Sequence, residues 1–244
     1  MSINKALLFA LVMVFGLSLN GQTPDSPTET PTTVKIEIWS DVVCPFCYLG
    51  KKKVEQAVQK LNAEDKVEIV WHSFQLDPEF PTNTSVPSIE NLSERKGYPI
   101  DQVREMCASL TQQGKGYQIE FAFEKALTFN TNDAHRLIQW GKTLGKGSEL
   151  KEALMQAYFS EGTDLSQQEN LLAVVEKVGL DKEKAQSVLE SDVFAQDVQQ
   201  DIYRSQQLGI RGVPFFLING ETAISGAQAD PVFEQAIGEA LQGL

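Results

Sequence analysis

The spacing of apolar residues along this chain changes from a strand rhythm to a helical one and back again. Ile36, Ile38 and then Trp39 punctuate Lys35 to Ser40 in the manner of a strand. From Val67 to Phe74, Val67, Ile69, Trp71 and Ser73 oppose Val70, His72 and Phe74, which predicts a second strand buried on both faces. Between them Leu49, Val54, Ala57, Val58 and Leu61 fall on one helical stripe, so the three segments form a βαβ unit. From Ser88 to about Leu208 the period is helical throughout. Val103, Met106, Cys107 and Leu110 share a face, as do Ala134, Leu137, Ile138 and Gly141, and Leu150, Ala153, Leu154, Ala157 and Tyr158. Leu171 to Val178, Lys182 to Leu189 and Val193 to Leu208 continue this period, with Gly179 as a helix stop and Asp181 as the next N-cap. The strand rhythm returns in Pro214 to Ile218 and Glu221 to Ser225. These runs are joined by Asn219-Gly220, a pair that accepts the positive φ angles of a type I′ turn. Asp230-Pro231 then supplies an N-cap and first turn for a closing helix with Val232, Phe233, Ala236, Ile237, Ala240 and Leu241 on one stripe.

The order βαβ, helical block, ββα predicts an α/β fold in which residues 34–87 and 209–244 build one sheet-containing domain around an inserted, all-helical domain at 88–208. With 244 residues, 42% of them hydrophobic, the chain can bury one core together with a large insertion. Its beginning reads differently. Lys5, the uncharged apolar stretch Ala6 to Leu19 and the small polar exit Asn20-Gly21-Gln22 form the three parts of a signal peptide over residues 1–21. The apolar stretch is short for a bilayer span, so cleavage and export are expected, without stable membrane insertion afterwards. No cysteine follows it to accept a lipid. Residues 22–33, with three prolines and five threonines, read as an extended solvated linker. The formal charge is −12, and removal of residues 1–21 takes away only Lys5 and leaves −13. So acidic a domain is unsuited to nucleic acid, whose phosphates require clustered cations. The one basic cluster, Lys51 to Lys53, reads as a solvated helix face.

Candidate chemistry centres on Cys44-Pro45-Phe46-Cys47 at the first strand-to-helix turn. Two sulfurs at that spacing can close a small disulfide, and the first faces the unpaired N–H groups of the helix, which favour thiolate over thiol. The thiolate is the attacking species in disulfide exchange, so Cys44 is the candidate nucleophile and Cys47, one turn deeper, the resolving thiol. A structural disulfide or half of a zinc site would use the same spacing. Zinc needs further ligands, yet the chain has no second CxxC and no paired histidine, and Tyr48 stands where haem attachment needs a histidine. The third cysteine, Cys107, lies between Val103 and Leu110 and reads as a buried, inert thiol.

The element order, the CxxC at the first turn and a Val-Pro opening the third strand resemble the thioredoxin fold, and the helical insertion resembles its DsbA-like branch. More narrowly, Ile38 to Gly50 (IWSDVVCPFCYLG), Asn132 to Arg136 (NDAHR) and Gly209 to Phe216 (GIRGVPFF) are similar to the FrnE-type subgroup, beside the kappa-class glutathione transferases and the 2-hydroxychromene-2-carboxylate isomerases. Those transferases and isomerases carry serine where this chain has Cys44, which favours disulfide exchange. The resemblance implies a cis bond at Pro214, with the Val213 main chain gripping an extended client peptide, and it places His135 near the active-site cleft as a substrate contact or a helix-start contact. Asp41, three residues before Cys44, is either a proton relay or a strand terminator. The expected function is that of an exported, periplasmic dithiol–disulfide oxidoreductase acting on cysteine-containing client proteins and reset by a redox partner, with no metal or organic cofactor. Oxidation of clients is the expected direction, because disulfides persist outside the cell. A reductase or isomerase, and a chaperone whose CxxC is a structural clip, are the alternatives.

Overall fold

The computed structural model describes residues 32–244, so the expected signal peptide and nearly all of the linker lie outside the described residues. Strand β1 (Val34–Ser40) is the axis of a four-stranded sheet. It pairs in parallel with β2 (Val67–Ser73), from Val34 opposite Val67 to Ser40 opposite Ser73. On its other side it runs antiparallel to β5 (Phe215–Ile218), which pairs with β6 (Thr222–Ser225), giving the order β2-β1-β5-β6. Asn219 and Gly220 both take positive φ between the last two strands, as the Asn-Gly turn requires. The Asn219 side chain also accepts the Lys35 N–H at 2.8 Å and pins the hairpin to the start of β1.

Helix α1 (Pro45–Lys60) joins β1 to β2, and α9 (Asp230–Gln242) packs beside it on one face of the sheet. Ile36, Ile38, Val54, Val58, Phe216, Phe233 and Ile237 form the core there. Each such side chain contributes about 1.5–3 kcal/mol through its removal from water. Helix α1 begins at Pro45, earlier than its apolar stripe indicates, because proline has no N–H to lose and its φ is already helical. Helix α9 likewise takes Asp230 as its first residue, with Ala229 at the N-cap. The Asp230 carboxylate is drawn away from the cap by the Tyr117 hydroxyl at 2.6 Å and the Lys53 ammonium at 3.2 Å.

The inserted segment contains α2 (Ser88–Lys96), α3 (Ile100–Lys115), α4 (Asn132–Thr143), α5 (Gly147–Gln156), α6 (Gln168–Lys177), α7 (Lys182–Leu189) and α8 (Ala195–Gln207). Helix α5 runs on through a wider π turn, Ala157–Glu161, that stops at Gly162 with φ 71°. The expected N-cap is present, since Asp181 accepts the Lys184 N–H at 3.1 Å. Arg136 of α4 donates to the carbonyls of Val188, Ser191 and Val193 and closes the C-terminal end of α7. The uninterrupted helical rhythm expected from Ser88 onward is broken by one short strand, β4 (Leu127–Phe129), paired with β3 (Ser85–Pro87). Three residues are too few for a strand period to show in the sequence. The first half of β2 is only partly buried, where two buried faces were expected, because β2 is the edge of the sheet.

The opposite face of the sheet meets the helical block through polar groups. His72 of β2 stacks on Trp39 with ring centroids 4.4 Å apart. Its Nδ1 lies 2.5 Å from Asp201 Oδ1 of α8, and its Nε2 lies 3.1 Å from Glu37 Oε1. Carboxylates only accept, so the ring fills both bonds when both nitrogens carry a proton. Asp201 also accepts from the Ser73 N–H at 2.7 Å and from Gln139 Nε2 of α4 at 2.5 Å. Arg204 of α8 pairs with Glu37 at 2.7 Å. Burial raises both carboxyls, but it is outweighed. Arg204, His72 and Lys35 hold Glu37 below the usual carboxylate range, and His72, the Ser73 N–H and Lys142 do the same for Asp201.

Removal of Asp201 leaves His72 and Glu37 buried with a broken network, so Asp201→Ala should lose about 3–5 kcal/mol of stability in urea unfolding. Because Glu37 and Asp201 titrate lower in the folded chain than in the unfolded one, their contribution is complete above the unfolded carboxyl values near 4. It declines as the pH falls through the folded ones. The wild-type acid limb of stability against pH should therefore be steeper than that of Asp201→Ala. A second packing constraint lies at Gly50 of α1, where an added Cβ would stand 2.8 Å from Phe216 Cζ and 3.1 Å from Pro214 Cγ. Alanine gains up to about 1 kcal/mol in helix propensity, but overpacking costs about 1–3 kcal/mol. Gly50→Ala should lower the urea midpoint, and an unchanged or raised midpoint would show that Phe216 and Pro214 yield freely.

Candidate active site

Cys44 is the N-cap of α1, in extended conformation (φ −94°, ψ 112°). Its N–H donates to the Asp41 carbonyl at 3.3 Å, and its own carbonyl accepts from the N–H groups of Cys47 at 3.0 Å and Tyr48 at 3.3 Å. This turn places the Cys44 sulfur beside the helix end and Cys47 on the first turn, facing inward. Both are free thiols, Cys44 4% exposed and Cys47 1%. The Cys44 thiol donates to the Val213 carbonyl at 3.6 Å, and the Val213–Pro214 bond is cis. The two sulfurs and the Val213-Pro214 segment, 169 residues apart in sequence for Cys44 and Val213, are thus brought together.

In the dithiol state the hydrogen bond with Cys47 pushes the Cys44 thiol well above its ordinary value, and burial and the charges of Cys47 and Asp41 add to that. Only the Cys47 backbone N–H acts the other way. The helix-end contribution anticipated from sequence is present and is outweighed.

Beneath the motif Asp41 is fully buried. Its Oδ2 accepts the Leu76 N–H at 2.8 Å, and its Oδ1 lies 3.1 Å from His135 Nε2. Asp41 therefore ties the end of β1 to the chain after β2 and to α4. His135, a candidate substrate contact by sequence, is 1% exposed and turned to Asp41, so the contact it makes is an internal one. It lies on the first turn of α4, and burial of the whole middle of that helix draws its ring inward.

Above the motif, Cys44 opens into a cavity of about 390 Å³ between the start of α1 and helices α2 and α3, walled mainly by apolar side chains such as Ile89, Leu92, Val103, Phe129 and Phe159. Phe46, between the two cysteines, is 43% exposed at this opening. Cys107 lines the same cavity and is half-buried, whereas its sequence neighbours suggested a core position. Val103, Met106, Cys107 and Leu110 share one face of α3 and all four line the cavity, but of these only Val103 and Leu110 are buried. Burial, with the Glu124 charge, pushes the Cys107 thiol up.

One residue at the site was not singled out from the sequence. Lys151 of α5 is buried, and its Nζ donates to the Ser40 carbonyl at 3.4 Å. The signal was a lysine one helical turn before Leu154 and Met155 in a helix otherwise apolar at those positions.

Comparison with known proteins agrees with this geometry. A family model described as a DSBA-like thioredoxin domain matches residues 35–238. The chain is 30% identical over 210 residues to an uncharacterised Bacillus subtilis protein, YwbO, covering 85% of this chain and 97% of that one. The crystal structure of a "probable DsbA oxidoreductase" from Streptomyces coelicolor is similar with a TM-score of 0.82 at 31% identity, over 86% of this chain and 90% of that chain. A 2-hydroxychromene-2-carboxylate isomerase shares the fold, with a TM-score of 0.64 at 16% identity over 85% of this chain and 96% of the other. The matched span includes the βαβ unit, the helical insertion and the Val213-Pro214 segment beside Cys44, and the chain belongs to the DSBA-like thioredoxin domain family of thiol–disulfide oxidoreductases.

Proposed function

We propose that this protein is an exported dithiol–disulfide oxidoreductase that exchanges disulfides with cysteine-containing client proteins, with Cys44 as the attacking sulfur and Cys47 as the resolving one. The observation that carries this reading is the position of Cys44 at the α1 N-cap, against the Val213 carbonyl and at the floor of an open cavity, with Cys47 one turn behind it. A client sulfur can approach Cys44 from the cavity, whereas Cys47 is closed off. In the oxidising direction a client thiolate attacks Cys44, the Cys44–Cys47 bond breaks and Cys47 leaves with the electron pair. A second client thiolate then attacks the client sulfur, releasing Cys44 and a client disulfide. Two electrons pass from client to protein, and a redox partner returns the pair to the disulfide. Val213 offers main-chain groups beside the sulfur for an extended client segment, and exposed Phe46 offers an apolar contact.

Export into the periplasm, expected from residues 1–21, supports oxidation as the working direction. The Cys44 thiol favours the reverse reading, a reductase, because its proton is held more tightly than in a free cysteine and a strong oxidant needs a stabilised reduced form. A reduction potential near the thioredoxin level of about −270 mV indicates the reductase, and one near about −120 mV the oxidant.

Cys47→Ala should accumulate a mixed disulfide between Cys44 and a client, because the first exchange step is intact and resolution is not. Cys44→Ala should trap nothing. Non-reducing electrophoresis after mixing with reduced and oxidised clients reads both outcomes. Equal trapping by the two variants would overturn the assigned order, and no trapping by either would move the CxxC to a structural role.

A further inference from the structure

A second cavity, of about 230 Å³, is built from the chain after β2, the starts of α4 and α6 and the side of α8. Two stretches of chain serve both cavities. Leu76 and Thr131 line the one at Cys44, while their neighbours Gln75, Asn130 and Asn132 line the other. The chemistry of the second is the reverse of the first. Apart from Pro78, Leu165 and Leu171 its lining is polar, and side-chain amides predominate. No cation lines it, and its one carboxylate, Asp133, is paired with Arg136 at 2.9 Å.

Gln75 separates this cavity from an ordinary wet groove. It is 9% exposed, its amide nitrogen donates to Asn130 Oδ1 at 3.4 Å, and its carbonyl accepts from no group among the described residues. That oxygen is not sealed in the interior, so it faces the cavity that Gln75 lines. Turning the amide over would put an unpaired N–H there instead, so the position asks for a partner in either orientation. Asn130 is held by bonds to the Pro78 and Phe80 carbonyls, at 3.3 and 2.6 Å, so the wall is set before anything binds. The side chain of Asn132 has no hydrogen bond among the described residues and is free to make one.

An amide offers donor and acceptor in one planar group, and a molecule that answers several amides at once needs groups that do both. Hydroxyls do. Carboxylates and phosphates find no cation here, and an apolar compound would strand the Gln75 carbonyl. The volume lies below the roughly 300–1,000 Å³ of pockets for drug-sized ligands, which sets a small occupant. We propose that this cavity binds a small, neutral, polyhydroxylated molecule, a monosaccharide or a cyclic polyol. One hydroxyl donates to Gln75 Oε1, others meet Asn132 and its neighbours, and the buried Leu165 and Leu171 side chains take the C–H face. Cys44 lines the other cavity, so this inference and the exchange reading stand or fall separately.

The test is proton–nitrogen correlation NMR of the full chain, following the side-chain amide signals of Gln75, Asn130 and Asn132 during titration with D-glucose and with myo-inositol. Excluded polyols stabilise many proteins, so a saturable shift is the readout and a raised melting temperature is not. At least one probe should move the three signals along a single saturation curve, with a dissociation constant of about 1 mM. Read on the remaining signals, Gln75→Leu should weaken binding about tenfold, and Asn132→Ala, which breaks no internal side-chain bond, about threefold. Cys44→Ala should bind as wild type does. Shifts that fail to saturate with either probe overturn the inference, as does Asn132→Ala binding as tightly as wild type, even if Gln75→Leu fails to fold. Saturation by N-acetylglycinamide but by neither polyol also overturns it, and would assign the cavity to a peptide amide. Loss of binding in Cys44→Ala would place the probe in the other cavity, with the same result.

Discussion

The Asp41 carboxylate is the junction on which the reactive turn depends. One oxygen takes the main-chain N–H of Leu76, just beyond β2, and the other takes the His135 ring from the inserted helices, while the Asp41 carbonyl receives the Cys44 N–H. Three separate stretches of chain converge there. A buried carboxylate left without these donors would lose both its hydration and its partners, so the arrangement holds as a set. The position of Cys44 relative to the sheet and to the insertion follows from it.

The same reasoning explains why the two halves behave as one structure although they alternate along the sequence. Apolar packing on the α1–α9 side of the sheet is non-directional, although it is tight where Gly50 meets Phe216 and Pro214. The polar side is specific. His72, Glu37, Asp201, Gln139 and Arg204 satisfy one another only in one docking position of α4 and α8 on the sheet. Hydrophobic burial thus supplies most of the stabilisation, and the polar set selects the geometry.

Much of this was legible in the chain itself. The βαβ and ββα rhythms, the Asn-Gly turn, the Asp181 cap and the CxxC at a strand-to-helix turn each rest on local chemistry, and local chemistry is what a sequence displays. What escaped reading depended on distant partners. The side chain of His135 faces inward because Asp41 waits there, 94 residues earlier. Asp230 leaves its cap for Tyr117 and Lys53. Cys107 reaches the cavity because α3 turns that face towards α1's end, which an apolar period cannot distinguish from the core. Lys151 was visible as a lysine on an apolar stripe, but only the fold shows what it lies beneath.

The pairing of β1 has a consequence for the order in which the chain becomes protected. β1 is made early and needs β5 on its flank, with Ile36 opposite Ile218, and the Cys44 thiol meets the Val213 carbonyl only when a segment 169 residues later has arrived. Contacts closed over so long a separation form late. A chain emerging from its N-terminus therefore presents both cysteines, and then Cys107, before the segment that shields them exists. Which sulfurs pair during that interval is decided by the surroundings of the nascent chain, and the helical insertion, folding in between, is the first element able to enclose them.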